Sequence, residues 1–254
     1  MTLAITRRVS PRFNECEITH IERTPIDVDK ARQQHDAYVH ALVALGCQVI
    51  ELPEEPNLPD SVFVEDTAFI LPELAVITRP GADSRKPEIE SIIPALAPVR
   101  RLVHVAEPAT VDGGDVLVIG KNIFIGKSSR SNQAAADQLQ EALYADGYTV
   151  RMVDMTDCLH LKTAVTRVDD NTLMINKDWV DPSNFPGLTL IEINASEPFA
   201  ANCLPVRGKI IYPTTFPKTR KRLEEHGFQI AEVDLSELAK AEGAVTCCSL
   251  ILDE

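Results

Sequence analysis

The chain has 254 residues, 44% apolar and 25% charged, which is enough to fill a core and too apolar for a disordered chain. A formal net charge of −13 argues against nucleic acid or an anionic membrane as partner, since both reward a basic surface; it suits solubility or a cationic ligand. Aromatic residues make up only 5%, with a single tryptophan, so the core must be aliphatic. The N-terminal stretch MTLAITRRVSPR lacks the apolar segment of a secretory signal, and no apolar run reaches the roughly 18 residues of a membrane span. Six scattered cysteines (Cys16, Cys47, Cys158, Cys203, Cys247 and Cys248), with no C-x-x-C pair, suggest neither a disulfide scaffold nor a structural zinc site. A reduced, cytoplasmic protein is expected.

In chain order, residues 3–9 read as a strand. A helix follows over 29–45, in which Ala31, His35, Tyr38, Leu42 and Leu45 share one stripe and Gly46 marks the stop. The strand 48–52 comes next. One pattern then recurs four times: two short strands, a helical or irregular stretch, and a third strand. The first copy has strands 61–70, 74–78 and 101–105 with a helix over 84–96. The second has 114–120, 122–126 and 149–154 with a helix over 131–146. The third has 161–168, 172–176 and 189–193 with an irregular stretch at 181–187, and the fourth has 202–206, 209–212 and 229–233 with a helix over 217–226. The last run, 245–252, combines with the N-terminal elements into a fifth unit completed across the termini. Asp66, Asp115, Lys162, Asn202 and Cys247 mark equivalent places at steps of roughly 40–50 residues, the spacing of propellers and solenoids. The expected fold is α/β, a five-bladed α/β propeller of pseudosymmetric ββαβ repeats, closed so that no sheet edge is left over, in a single domain spanning 1–254.

In such an array the first strand of each unit points at the axis, so residues far apart in sequence meet there. Four inner ends carry unusual chemistry: P-D-S-V-F-V-E-D from Pro59, V-D-G-G-D from Val111, L-H-L-K-T from Leu159, and V-T-C-C-S-L from Val245. Together with I-T-R-P-G-A-D-S-R-K from Ile77 and A-A-N-C from Ala200, in this order and spacing, the chain resembles the dimethylarginine dimethylaminohydrolase family of the guanidine-modifying (pentein) superfamily. The resemblance runs from Leu3 to Ile251 and agrees with the fivefold propeller.

The resemblance implies hydrolysis of Nω-methylated arginine to citrulline and a methylamine. A guanidinium carbon is a poor electrophile, so the reaction needs a strong nucleophile and a proton for the departing amine. Cys247 matches the family nucleophile, His160 the acid and base, and Asp112 the group that orients His160. Some members carry Glu where this chain has Asp112. Asp60 and Asp66 would hold the guanidinium nitrogens, Glu65 would act through its backbone or from behind, and Phe63 would pack on the aliphatic stem. Arg85 and Arg130 match arginines for the α-carboxylate, Ala241 and Glu242 match positions near the α-amino group, and residues 14–22 would form a lid. No cofactor or metal is implied, and the expected partner is a small-molecule methylated arginine substrate of a monomer or homodimer, with no nucleic acid and no membrane.

On a strand, Cys248 and Glu65 should face away from Cys247 and Asp66 respectively. Carboxylates around Cys247 should keep its thiol protonated until a cation binds. Three rival readings differ in what they require. A deiminase of arginine or another small guanidine would use the same machinery. A non-catalytic propeller of the ribosome anti-association type should lack the Cys, His and acid set. Zinc binding through Cys247, Cys248 and His160 lacks a four-ligand spacing.

Overall fold

The chain builds five three-stranded sheets of one design, seen in a computed structural model that describes residues 2–253. Strand β1 (Leu3–Arg7) leads into helix α1 (Val28–Ala44), whose first turn is capped by the Asp27 carboxylate accepting from the Lys30 amide. Gly46, at φ +87°, ends it and returns the chain to β2 (Gln48–Leu52). Strands β3 (Ala68–Ile70), β4 (Leu74–Ile77) and β5 (Arg101–His104) form the next sheet, with α2 (Ile89–Leu96) before β5. The third comprises β6 (Val116–Ile119), β7 (Asn122–Lys127), α3 (Gln133–Leu143) and β8 (Thr149–Asp154). A short helix, α4 (Leu161–Ala164), opens the fourth, which has strands β9 (Val165–Arg167), β10 (Thr172–Ile175) and β11 (Thr189–Glu192). The fifth comprises β12 (Leu204–Val206), β13 (Lys209–Pro213), α5 (Pro217–Glu225) and β14 (Ile230–Val233); α6 (Ser236–Ala239) and β15 (Leu250–Leu252) follow.

Within every sheet the inner pair is antiparallel and the outer pair parallel, joined by a crossover. Strand β15 pairs antiparallel with β1 in the register Leu3 to Leu252, and β1 pairs in parallel with β2, so the last sheet is completed by both ends of the chain. Apolar faces meet between neighbouring sheets. In one cluster Tyr38 and Leu42 of α1 pack with Leu235, Leu238, Val245 and Cys248; burial of a leucine there contributes about 2 kcal/mol.

The inner ends depart from the expected strands. Residues 61–67 do not enter β3 extended; Val64–Thr67 is a 3-10 turn, and Gly113–Asp115 is another before β6. His160 does not enter a strand but precedes α4, and Cys247 and Cys248 lie in a turn before β15. The physical reason is the same at each place. Backbone amides here bond to groups of other units rather than to a ladder, as when the Glu65 amide donates to the Cys247 carbonyl at 3.2 Å. The helix expected over 84–96 begins as a 3-10 segment, Asp83–Glu88, because Pro87 has no amide hydrogen to donate.

Candidate active site

Inner ends of the units meet at a partly open cavity of about 20 Å³ bordered by Asp60, Asp66, His160 and Cys247, room for little more than one water. Phe63, Arg85, Arg130, Ala241 and Glu242 complete its walls together with Glu17 from the lid. Two of the residues expected at the site do not line it. Asp112 is buried behind His160, and Glu65 is turned to the other side of the turn.

His160 is held between two acids. Its Nε2 lies 3.1 Å from Asp112 Oδ2, so the shorter aspartate arm still reaches the ring, and its Nδ1 lies 3.9 Å from Asp66 Oδ1. Burial opposes the charge on the imidazole, but Asp66, the Asp112 hydrogen bond and Asp115 outweigh it and raise His160 to about 9. One atom each of Asp66, Asp112 and His160 fall within 4.8 Å of one another, the spacing of an imidazolium bridging two carboxylates. The glycine pair makes this approach possible. A Cβ on Gly114 would sit 2.6 Å from His160 Nδ1, and one on Gly113 would collide with the Glu65 carbonyl. The bare Gly114 amide instead donates to Asp66 Oδ1 at 2.9 Å.

Cys247 is half-buried, whereas the other five cysteines are buried. The Ala244 amide donates to its Sγ at 3.4 Å. Burial, then Glu65 and Asp66, push the thiol well above the ordinary cysteine range, the direction the charge argument expects. Cys248 is buried in the apolar cluster as expected, although a turn and not strand alternation puts it there.

Arg85 is buried, with nearly all its donors spent. Nε and Nη2 donate to Glu88 at 3.0 and 2.8 Å, Nη1 donates to Asp66 at 2.5 Å, and Nη2 also reaches the Phe63 carbonyl. One Nη1 hydrogen is left over. Arg130 is less committed, with a 3.2 Å bond to Thr19 Oγ1 and Asp112 at 3.8 Å. The segment 14–22, expected as a lid, lies on the remaining carboxylates. Asp60 accepts from the Glu17 amide at 3.1 Å, and Glu242 accepts from the Thr19 and His20 amides at 2.7 and 2.8 Å. Glu65 and Asp66 are both buried and diverge: Glu65 accepts from Lys162 at 2.7 Å and from Thr246 Oγ1 at 2.7 Å.

The sequence reading missed Asp115 as a member of the site. Its carboxylate accepts from Ser128 and Ser131 hydroxyls at 2.6 Å and from the Leu161 amide at 3.0 Å, which fixes the backbone just after His160. Burial raises it to about 6 against the pull of His160 and the two serines. Glu88, the partner of Arg85, was also missed; burial raises it to about 7 although Arg85 pulls it down. The signals were present in the G-G-D triplet and in the i, i+3 spacing of Arg85 and Glu88.

A family model described as N,N-dimethylarginine dimethylhydrolase, eukaryotic, matches residues 14–185. The N(G),N(G)-dimethylarginine dimethylaminohydrolase of Streptomyces coelicolor is 40% identical over 254 residues, covering 99% of this chain and 97% of the relative. That of Pseudomonas aeruginosa is 37% identical over 227 residues, covering 88% and 89%. A solved structure of the Pseudomonas aeruginosa protein, a cysteine-to-serine mutant complexed with citrulline, matches with a TM-score of 0.93 at 33% identity over 98% of each chain. The N-terminal domain of a cyanobacterial arginine dihydrolase, at 19% identity and a TM-score of 0.83, shares the fold.

Proposed function

The chain belongs to the dimethylarginine dimethylaminohydrolase family, and on that premise we propose that it hydrolyses Nω-methylated arginines to citrulline and dimethylamine or methylamine through a covalent intermediate on Cys247. The observation that carries this reading is one cavity bordered by a half-buried cysteine, an imidazole raised to about 9 and the buried carboxylates of Asp60 and Asp66. In the proposed sequence the cationic substrate settles against Asp66 and Asp60 and stabilises the Cys247 thiolate. The thiolate adds to the guanidinium carbon. His160, oriented by Asp112, donates a proton to the departing amine, leaving an S-alkylthiouronium. The neutral imidazole then takes a proton from water, which attacks the same carbon; collapse expels the thiolate, and the added hydroxyl gives its proton to solvent, which yields citrulline.

At the other end of the substrate, Arg130 and the remaining Nη1 hydrogen of Arg85 receive the α-carboxylate. Ala241 and Glu242 face the α-amino group, and Phe63 packs on the stem. Glu65 acts from behind the turn. The whole of 1–254 serves as one propeller domain, a cytoplasmic monomer or homodimer acting on a small molecule. No described helix is long and apolar enough to cross a membrane.

Citrulline formation from Nω,Nω-dimethylarginine, Nω-methylarginine and arginine tests this directly. Turnover of the methylated substrates with little of arginine is expected, and none above background for Cys247→Ser. Preference for arginine would instead favour the deiminase reading, and activity surviving in Cys247→Ser would remove the covalent step.

A further inference from the structure

Lys162 and Asn202, which marked the repeat without acquiring a role, meet Glu65, Gly113 and Thr246 at the axis, one residue from each unit. Lys162 Nζ donates to Glu65 Oε1 at 2.7 Å and to the Gly113 carbonyl at 3.1 Å. Asn202 Nδ2 donates to the Lys162 carbonyl at 3.0 Å and to Thr246 Oγ1 at 2.9 Å, while its Oδ1 accepts from the Thr246 amide at 3.1 Å. Thr246 Oγ1 in turn donates to Glu65 Oε2 at 2.7 Å. The ring Glu65–Lys162–Asn202–Thr246 is closed, and the Asn202 amide spends both donors and its acceptor on it.

This ring grips the peptide that carries Cys247. Thr246 precedes Cys247 and is held at its amide and its hydroxyl, while the Cys247 carbonyl accepts from the Glu65 amide at 3.2 Å. We propose that Lys162, Asn202 and Thr246 are positioning residues for the nucleophile: they fix the Cys247 turn above the axis, and Lys162 neutralises the carboxylate directly beneath it. The proposal rests on Cys247 being the nucleophile. Asp66 and His160 line the cavity with the thiol, while Glu65 acts on it from the far side of the turn. Asp60, Glu17, Glu242, Arg85 and Arg130 line the same cavity further out, and the test leaves all of them unchanged. Removing Lys162 would leave the buried Glu65 carboxylate with the Thr246 hydroxyl and no cation, and an uncompensated charge in a buried position acts strongly on its neighbour.

Two readouts test this in the full chain. The first is the rate at which iodoacetamide alkylates Cys247 at fixed pH, read by mass spectrometry of its peptide, which needs no turnover. The second is kcat and KM on Nω,Nω-dimethylarginine. Lys162→Met should slow alkylation by about tenfold and lower kcat at least as much, with KM within about threefold, because a change in thiolate fraction alters reactivity and not substrate binding. Thr246→Val, which keeps the volume and loses the hydroxyl, should lower kcat in the same way, and Thr246→Ser should restore it. The Val and Ser pair decides the matter if Lys162→Met does not fold. Unchanged alkylation in Lys162→Met, or a Thr246→Ser no better than Thr246→Val, overturns the proposal. If the unsubstituted protein fails to turn over methylarginine, the functional reading fails, while the alkylation rates still judge the ring.

Discussion

His160 and Cys247 share one carboxylate, Asp66, which favours charge on the imidazole and disfavours it on the thiol. Asp66 helps to raise the imidazole to about 9 while it helps to push the thiol up. At neutral pH the resting site therefore holds an imidazolium and a thiol, ready to give a proton to the leaving amine and waiting for a cation to release the thiolate. Asp112 makes the hydrogen bond that orients the ring and contributes to its raised value. Asp112→Asn keeps the shape and removes the charge. It should lower kcat by about a hundredfold with little change in KM, and move the alkaline limb of the kcat profile to lower pH. An unshifted limb would mean that His160 owes its proton to Asp66 and Asp115 and not to Asp112.

At the scale of elements, the outer parts of each unit were legible in the sequence and the inner ends were not. The helix around Ala31, Tyr38 and Leu42 and the strands such as Leu74–Ile77 follow from apolar periodicity and Gly stops. The turn Val64–Thr67 has neither glycine nor proline to announce it and follows an apolar run, and its tertiary partners (Lys162, Thr246, Arg85 and the Cys247 carbonyl) make it a turn. Cys247, His160 and Asp112 could be singled out in the sequence by their motifs, and the structure puts Cys247 and His160 on one cavity with Asp112 behind His160. The commitment of Arg85 to Glu88 and of Glu65 to Lys162 was not legible, because pairing depends on contacts that sequence order hides. The lid belongs to this scale too. A cavity of about 20 Å³ is far smaller than the roughly 300 Å³ of an ordinary ligand pocket; residues 14–22, expected as a lid, reach it through Glu17, and we propose that they lift to admit substrate. Glu242 is the latch: it sits at φ +59°, a backbone state that costs a non-glycine residue about 1 kcal/mol, and from there accepts from both the Thr19 and His20 amides. Glu242→Ala should speed hydrogen exchange at Thr19 and His20 and raise KM about tenfold, since it releases the lid and removes a partner for the α-amino group. Unchanged exchange at both amides would remove Glu242 as the latch.

For the whole molecule, closing five units on one axis puts most of the buried charge in one place, and the pH dependence of stability follows from it. An imidazole raised from an ordinary 6.5 to about 9 contributes stability that is fully present below 6.5 and lost as pH rises through 9. The gap corresponds to about 3 kcal/mol at most, because neighbouring groups relax as the ring loses its proton. Glu88, raised to about 7, and Asp115, raised to about 6, act in the same sense but at lower pH. His35, which burial lowers to about 4, acts in the opposite sense and is complete by 6.5. The buried thiols, such as Cys16 at about 11 and Cys158 at about 12, weaken the fold only once free cysteine begins to ionise, near 8.5. Between about pH 7 and 8.5 His160 is therefore the main titrating contributor. Urea unfolding at fixed temperature should show stability falling steadily across that interval, and His160→Gln should flatten it there while leaving the loss above about 8.5 in place. A slope that persists in His160→Gln would move its origin away from the axis, to the self-repulsion of a chain with a net charge of −13.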